Sequence, residues 1–162
     1  MGKTKDTLDA IGAKAPSIKW ENTILYFQRK FETWIKNKNG IGSYTIEAIP
    51  DVVIEKLHPG KRELYIFDAK MREIWEILSE SKKQDARRNA IAQMHRYKEC
   101  IVEFSTKHRI VKGAYMVVPD TGNLLFEEDK WFTQPEYRKE WGFGFITMKP
   151  TGEKEGVTWL IK

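Results

Sequence analysis

The chain has 162 residues, of which 41% are hydrophobic and 12% aromatic, so it is long enough to bury the core of one domain. No apolar run approaches the ~18 residues that a membrane-spanning helix needs, and no apolar stretch of a secretory signal follows the charged start Met1–Asp6. The single cysteine excludes an internal disulfide and a cysteine-based zinc site, and the net charge of +5 suits a polyanionic partner such as DNA. We therefore expect a cytoplasmic protein with no membrane segment.

The N-terminal third begins with a polar stretch, residues 1–22, which we predict to be a loose extension ahead of a domain at 23–162. The segment Thr23–Phe31 is rich in Ile, Tyr, Phe and Thr, a composition that favours a strand. Its apolar residues, continued to Ile35, also fall at helical spacing. We predict a strand as far as Phe31 and then a loop formed by Asn37–Gly40 and Gly42.

A hairpin is predicted next. Ser43–Glu55 has the pattern of a strand, bent or bulged at Pro50 because proline has no amide hydrogen to donate. His58–Lys61 contains a Pro-Gly turn, and Glu63–Lys70 is a second strand. The uninterrupted apolar run within that second strand indicates burial on both faces, at the centre of a sheet.

The second half of the chain is predicted to contain one long helix, Asp85–Phe104, with a single apolar stripe and Asp85 as its N-cap. Met71–Lys83 is a loop-like or helical insertion before it. This order of elements predicts an α/β fold, a central mixed β-sheet flanked by helices. The remaining strands are predicted at Gly113–Val118, Phe143–Met148 and Val157–Ile161.

Three side chains with complementary chemistry are predicted to meet at one end of the hairpin. Asp68 and Lys70 are two residues apart on a strand and so point to one face, and the hairpin can bring Asp51 beside them. Two carboxylates held close repel each other unless a cation neutralises them. Mg²⁺ prefers such oxygen ligands, and the carbonyl of Ala69 is a candidate third ligand. If such an ion bound a substrate phosphate, the ammonium of Lys70 would orient the water that attacks it and would offset the charge that builds on the phosphate oxygens.

Pro50-Asp51, a hydrophobic strand and then Asp68-Ala69-Lys70 resemble the signature of the PD-(D/E)xK nuclease superfamily. Gln93 and Tyr97 are similar to the Q-x-x-x-Y element of its RecB-like members, and residues 23–152 are similar to the nuclease domains of McrC-like restriction subunits. The resemblance implies a restriction-endonuclease-like fold. It also implies hydrolysis of DNA phosphodiester bonds with Mg²⁺ or Mn²⁺, often in defence against foreign DNA and alongside a nucleotide-driven partner subunit.

One feature of the family has no clear counterpart, the acidic residue on a helix before the first strand. Glu32 is the candidate if the segment to Trp34 is that helix, whereas Asp9 or Glu21 is the candidate if Thr23–Phe31 is the first strand. A third alternative is that the chain is a piece of a longer protein and lacks the helix. A rival motif, Asp120 with Glu128-Asp129-Lys130, is discounted because Asp120 enters a turn and no matching helix follows.

Two further sets of residues are candidates for supporting roles. Gln93 and Tyr97 lie one helical turn apart and could support the site or contact a phosphate, although Tyr97 also fits the apolar stripe. The competing function is a catalytically weak or inactive DNA-binding subunit of a larger restriction or repair complex. The candidate DNA-binding cations, each of which also suits a solvated surface, are Arg72, Lys82, Lys83, Arg87, Arg88 and Arg96.

Overall fold

The computed structural model describes residues 15–36, 39–70, 80–119 and 129–148, which form nine strands and three helices. The helices are α1 (Glu80–Cys100), α2 (Asp129–Phe132) and α3 (Pro135–Trp141). The strands are β1 (Ser17–Trp20), β2 (Thr23–Phe27), β3 (Ile41–Ser43), β4 (Val52–His58), β5 (Lys61–Ala69), β6 (Ile101–Glu103), β7 (His108–Arg109), β8 (Val111–Pro119) and β9 (Phe143–Met148).

The strands form two sheets. The larger one has six strands in the order β1-β2-β4-β5-β8-β9, and the smaller one has the order β3-β6-β7. Strands β1, β2, β4 and β5 pair antiparallel, whereas β8 and β9 pair parallel, so the large sheet is mixed. The predicted α/β class with a central mixed sheet is confirmed.

The chain divides into two compact units. The first contains the chain up to Phe67 together with Arg96–Lys112. Its centre is the β4–β5 hairpin, in which Val52 lies opposite Phe67 and His58 opposite Lys61. The tip of this hairpin is formed by Pro59 and Gly60, and Gly60 supplies the positive φ of +69° that the tight turn needs.

The second unit contains Asp68–His95 and the chain from Gly113 onward. Its two parallel strands are in register from Ala114 opposite Phe143 to Pro119 opposite Met148. The buried Arg138 of α3 donates hydrogen bonds to the carbonyls of Thr133 and Phe145, and these bonds fix the short helices against β9. The predicted strands Gly113–Val118 and Phe143–Met148 are therefore confirmed, as parts of β8 and β9.

The start of the fold differs from the prediction in two ways. Ser17–Trp20 forms β1, within the stretch expected to be loose, and it pairs with β2 along its whole length. Strand β2 then ends at Phe27, because Gln28 adopts a positive φ of 50° that breaks the strand. The helical alternative to Trp34 is wrong, since Phe31 and Thr33 each form an isolated β-bridge instead.

Ser43–Glu55 is not one bent strand. Its first residue ends β3 and lies opposite Ile101, whereas Val52 begins β4 and lies opposite Phe67. The two ends of the segment therefore pair in different sheets, and between them only Ala48 pairs, in an isolated bridge to Phe31. Gly42, which was expected in the preceding loop, lies in β3. Pro50 is fully buried in this connection, where its missing amide hydrogen removes no ladder bond.

The predicted long helix is present, but both of its ends differ from the prediction. It is already helical at Glu80, so Asp85 is an interior residue and not the N-cap, and it ends at Cys100. Ile101–Glu103 continues as β6, because β-branched Ile101 and Val102 suit a strand and pair with β3. Most of the predicted insertion, together with Asp120, Glu128 and Val157–Ile161, lies outside the described residues. None of the helices described is both long and apolar enough to cross a membrane.

Candidate active site

The candidate site begins with a carboxylate at the end of a buried strand. Leu64, Ile66 and Asp68 alternate along β5 and so share one face, and they are 0%, 0% and 3% exposed. The apolar face of the strand therefore ends in an aspartate that is as inaccessible as the core residues before it. Burying an ionised carboxylate is strongly unfavourable unless a partner compensates for its lost hydration.

Lys70 is that partner. Its ammonium forms an ion pair with the buried Oδ2 of Asp68, so an opposite charge compensates the buried carboxylate. The backbone amide of Lys70 donates to the carbonyl of Val117 at 2.9 Å, which anchors this end of β5 beside β8. The Lys70 side chain is 24% exposed and that of Asp68 is 5% exposed, so the lysine is the more accessible partner of the pair.

Gln93 of α1 completes the cluster. Its side-chain oxygen accepts a hydrogen bond from the Lys70 ammonium at 2.9 Å. Gln93 lies beside the fully buried Met94 on the helix and is itself half-buried. The helix therefore presents a polar acceptor to the amine, and three of the predicted site residues, Asp68, Lys70 and Gln93, are in contact.

Asp51 is the half-buried residue that immediately precedes β4, and its carbonyl accepts a hydrogen bond from the amide of Gln28 at 2.8 Å. The next residue, Val52, lies opposite Phe67, the residue before Asp68. Ala69 is the exposed last residue of β5. Metal binding by Asp51, Asp68 and Ala69 stays a prediction.

The remaining candidates are placed as follows. Tyr97 is only 2% exposed, which agrees with its alternative role in the core, and the Arg96 guanidinium lies 5.7 Å from its ring centroid. Glu32 lies between two bridged residues, and Glu21 occupies the β1–β2 turn with a φ of 50°. Neither acid is on a helix, so Glu32 is not the helical acid. Asp9 lies outside the described residues.

The candidate DNA-binding cations are mostly on α1. Lys82 and Arg88 are exposed, and the guanidinium of Arg88 lies 3.8 Å from the Asp85 carboxylate in an exposed pair that contributes little to stability. Lys83, Arg87 and Arg96 are partly buried, and Arg72 lies outside the described residues.

Glu55 of β4 is a second buried carboxylate, and the sequence pattern did not lead us to predict it. It accepts a hydrogen bond from the Tyr26 hydroxyl at 2.8 Å and pairs with Arg29 at 2.8 Å and with Arg62 at 3.2 Å. Burial, aided by the hydrogen bond to Glu55, raises the pKa of Tyr26 to about 12. The available signal was alternation, because Glu55 shares the face of the buried Val53.

The oxygen ligands available at this end of β5 can be compared with those that a divalent cation prefers. Across residues 15–36, 39–70, 80–119 and 129–148 there is no group of three or more His, Cys, Asp and Glu side chains that could hold a metal ion. Mg²⁺ does not require one, because it is usually bound by one or two carboxylates together with waters and substrate phosphate. One buried aspartate carboxylate at the end of a strand, beside a lysine, is compatible with that mode.

Comparison with known proteins adds one match. A family model described as the PD-(D/E)XK nuclease superfamily matches residues 14–123, which is more than half of the chain. Searches of the curated proteins and of the solved structures find no match.

Proposed function

The chain belongs to the PD-(D/E)XK nuclease superfamily and has its restriction-endonuclease-like α/β fold, and from this premise we propose that it is a Mg²⁺-dependent DNA endonuclease. The observation that carries the proposal is the cluster of Asp68, Lys70 and Gln93 at the end of β5. A buried carboxylate beside a partly exposed lysine would provide both a cation ligand and a group to position water. Mn²⁺ would replace Mg²⁺ at such oxygen ligands.

The reaction proposed is hydrolysis of a phosphodiester bond. Bound Mg²⁺ supplies Lewis-acid polarisation of the scissile phosphate. The Lys70 ammonium donates a hydrogen bond to the attacking water and opposes negative charge on the phosphate oxygens. Gln93 holds that ammonium in place through its side-chain oxygen. Water adds to phosphorus and releases a proton to solvent, the bond from phosphorus to one ester oxygen breaks, and the departing oxygen takes up a proton.

The role proposed for Asp51 as the second carboxylate ligand is supported by the hairpin register. Val52 and Phe67 are directly opposed, so Asp51 and Asp68 each lie one residue beyond the same opposed pair. The proposed ligand set is Asp51, Asp68 and the Ala69 carbonyl, as the resemblance of Pro50-Asp51 and Asp68-Ala69-Lys70 to the family motif implies.

The finer assignment, a McrC-like subunit that acts in restriction or defence with a nucleotide-driven partner, rests on the similarity of the motif-bearing stretches within residues 23–152. A second candidate function is a DNA-binding subunit with weak or no catalysis. It is favoured by one observation, that neither Glu21 nor Glu32 lies on a helix and so neither supplies the family's helical acid.

Plasmid cleavage tests the proposal. The wild type is compared with Asp68→Asn and Lys70→Met, which remove charge and keep the approximate side-chain volume, in Mg²⁺, in Mn²⁺ and with the metal chelated. We expect metal-dependent nicking that falls by about 100-fold or more in both variants, the size of loss typical when a group that stabilises the transition state is removed. Lys61→Ala is the matched control, since the Lys61 side chain is 60% exposed and lies at the other end of β5, where it pairs with Glu63.

The outcome decides between the two candidate functions. Cleavage abolished equally in the Lys61 control would show that damage to the strand, and not to the site, is responsible. DNA binding without cutting in either metal would overturn the nuclease proposal and support the binding subunit.

A further inference from the structure

The first unit contains a hollow that the proposed catalytic cluster does not use. Its volume is about 460 Å³, which falls within the range of small-ligand sites. It is lined by three aromatic residues, one aliphatic residue and two cations: Trp34, Tyr44, Phe104, Val102, Lys107 and Arg109. We call these six residues the aromatic hollow.

The walls of the aromatic hollow are held by close packing. Phe104 is 4% exposed, and the Trp34 ring meets it edge-on with centroids 4.9 Å apart and planes at 80°. A Cβ added at Gly42 would lie 2.6 Å from the Phe104 ring, so this glycine lets the ring approach the backbone. The backbone amides of Trp34 and Tyr44 are also anchored, by hydrogen bonds to the carbonyls of Ser43 and Cys100.

Two of the aromatic rings nevertheless face solvent. Trp34 is 43% exposed and Tyr44 is 50% exposed, although both are anchored through their backbones. Exposed aromatic faces on a fixed backbone lose little conformational freedom when a flat ring stacks on them. Such faces form the usual platform for unstacked nucleobases, which stack irrespective of base identity.

The two cations of the aromatic hollow suit the phosphates that flank a base. Arg109 pairs with Glu99 at 2.9 Å, but both side chains are more than half exposed, so this pair is weak and can be exchanged for a phosphate. Lys107 is exposed and has a φ of +58°, a conformation that glycine or asparagine adopts more readily. The backbone conformation at this turn position therefore does not explain why the residue is a lysine.

We propose that the aromatic hollow binds an unstacked base of single-stranded DNA, with Trp34 and Tyr44 as the stacking surfaces and with Lys107 and Arg109 on the adjacent phosphates. That the polymer is DNA rests on the proposed function, whereas the binding chemistry does not involve Asp68. An apolar peptide suits the hollow less well, because Val102 is the one aliphatic residue among the six that line it.

Binding of a fluorescently labelled single-stranded oligonucleotide to the full chain, with metal chelated to prevent cleavage, tests the proposal. Stacking on an aromatic side chain contributes about 1–3 kcal/mol per base, so we expect Trp34→Ala to weaken binding roughly tenfold. Trp34→Phe retains a stacking ring and should restore most of the affinity. Trp131→Ala removes a tryptophan that is 63% exposed on α2 and should leave binding unchanged.

Lys107→Gly is a second variant that separates binding from folding. Glycine accepts the positive φ at residue 107, so the melting temperature should stay the same or rise. Binding should weaken, and its salt dependence should decrease by about one counterion, because the variant has one fewer cation to neutralise a phosphate.

Specific outcomes would overturn the proposal. Equal oligonucleotide binding by wild type and Trp34→Ala would do so, as would Trp34-dependent uptake of an apolar peptide with no oligonucleotide binding, which would indicate a protein partner. The proposed nuclease function fails separately. If no metal supports cleavage but Trp34-dependent binding is observed, the nuclease proposal is wrong and the aromatic hollow stands.

Discussion

At the residue scale, the ion pair between Asp68 and Lys70 is the feature with the clearest energetic consequence. We predict that Lys70→Met lowers the free energy of unfolding by about 1–3 kcal/mol, because the variant leaves a buried charged group without its partner. Combining it with Asp68→Asn should recover part of the loss, since the uncompensated charge is then removed as well. Urea unfolding of the wild type, the single variants and the double variant measures this coupling; additive losses would contradict it.

Tyr26 is predicted to make stability depend on alkaline pH. Burial raises its pKa from 10.0 to about 12, so the folded protein holds the phenolic proton more tightly than the unfolded chain does. The resulting stabilisation is fully present below pH 10 and is lost as the pH rises from 10 through about 12. Titration of tyrosinate absorbance should show late ionisation from Tyr26 and also from Tyr65, whose pKa burial raises as well.

Tyr26→Phe is the control for that titration. The variant removes the hydroxyl that donates to Glu55, so the part of the late ionisation that belongs to Tyr26 should disappear together with its share of the alkaline loss of stability. An unchanged late ionisation in Tyr26→Phe would assign it to a different tyrosine.

At the scale of elements, the approach of β3 to the Phe104 ring depends on a glycine. A methyl group at Gly42 would lie 2.5 Å from the Glu32 carbonyl and 2.6 Å from the Phe104 ring, so we predict that Gly42→Ala lowers the free energy of unfolding by about 1–3 kcal/mol through overpacking. Thermal or urea unfolding measures the change.

Gly60→Ala is the comparison that separates crowding from backbone strain. Gly60 has a φ of +69° but no atom within 4 Å of an added Cβ, so its replacement tests backbone strain alone. Lys107→Gly is the reverse change, because it removes a side chain from a residue with a positive φ and so relieves backbone strain. If Gly42→Ala were harmless while Gly60→Ala destabilised, close packing around Phe104 would not be the constraint we infer.

The same scale shows which elements the sequence could predict. Strand β5 and its Pro-Gly turn were predictable because an apolar run between turn residues has few alternative structures. The end of α1 was not predictable, because Ile101 and Phe104 continue the helical apolar stripe. In the structure Ile101 belongs to a strand and Phe104 to the turn after it. Long-range pairing with β3 decides the outcome there.

The remaining misses have similar causes. Strand β1 is mostly exposed, so Ser17–Trp20 lacks the alternation that marks a half-buried strand. Within the site, the spacing of Asp68 and Lys70 predicted a shared face, and Gln93 was expected to support them. The hydrogen bond between Gln93 and the Lys70 ammonium depends on how α1 meets the end of β5, which the sequence does not encode locally.

At the scale of the whole molecule, the net charge of +5 predicts salt-dependent binding to DNA. We expect reversal of the exposed α1 cations in Lys82→Glu/Arg88→Glu to weaken DNA binding and to lower the dependence of log K on log salt by about one unit for each phosphate that is no longer neutralised. Anisotropy titrations at several salt concentrations measure both quantities.

A matched control separates local effects from overall charge. Reversal of Lys19 and Lys139, exposed on β1 and α3, changes the net charge by the same amount at other places. If both double variants weakened DNA binding equally, the affinity would depend only on the total charge of the protein, and α1 would have no special role.

Cys100, the only cysteine, is 2% exposed at the last residue of α1. A thiol reagent can reach it only when the surrounding chain opens, so the rate of alkylation under native conditions reports the frequency of that opening. The protein thus contains an intrinsic single-site probe of its own fluctuations, and no engineered label is needed. Slow alkylation that quickens as urea is added would follow from the burial of this thiol, whereas immediate labelling of the native chain would contradict it.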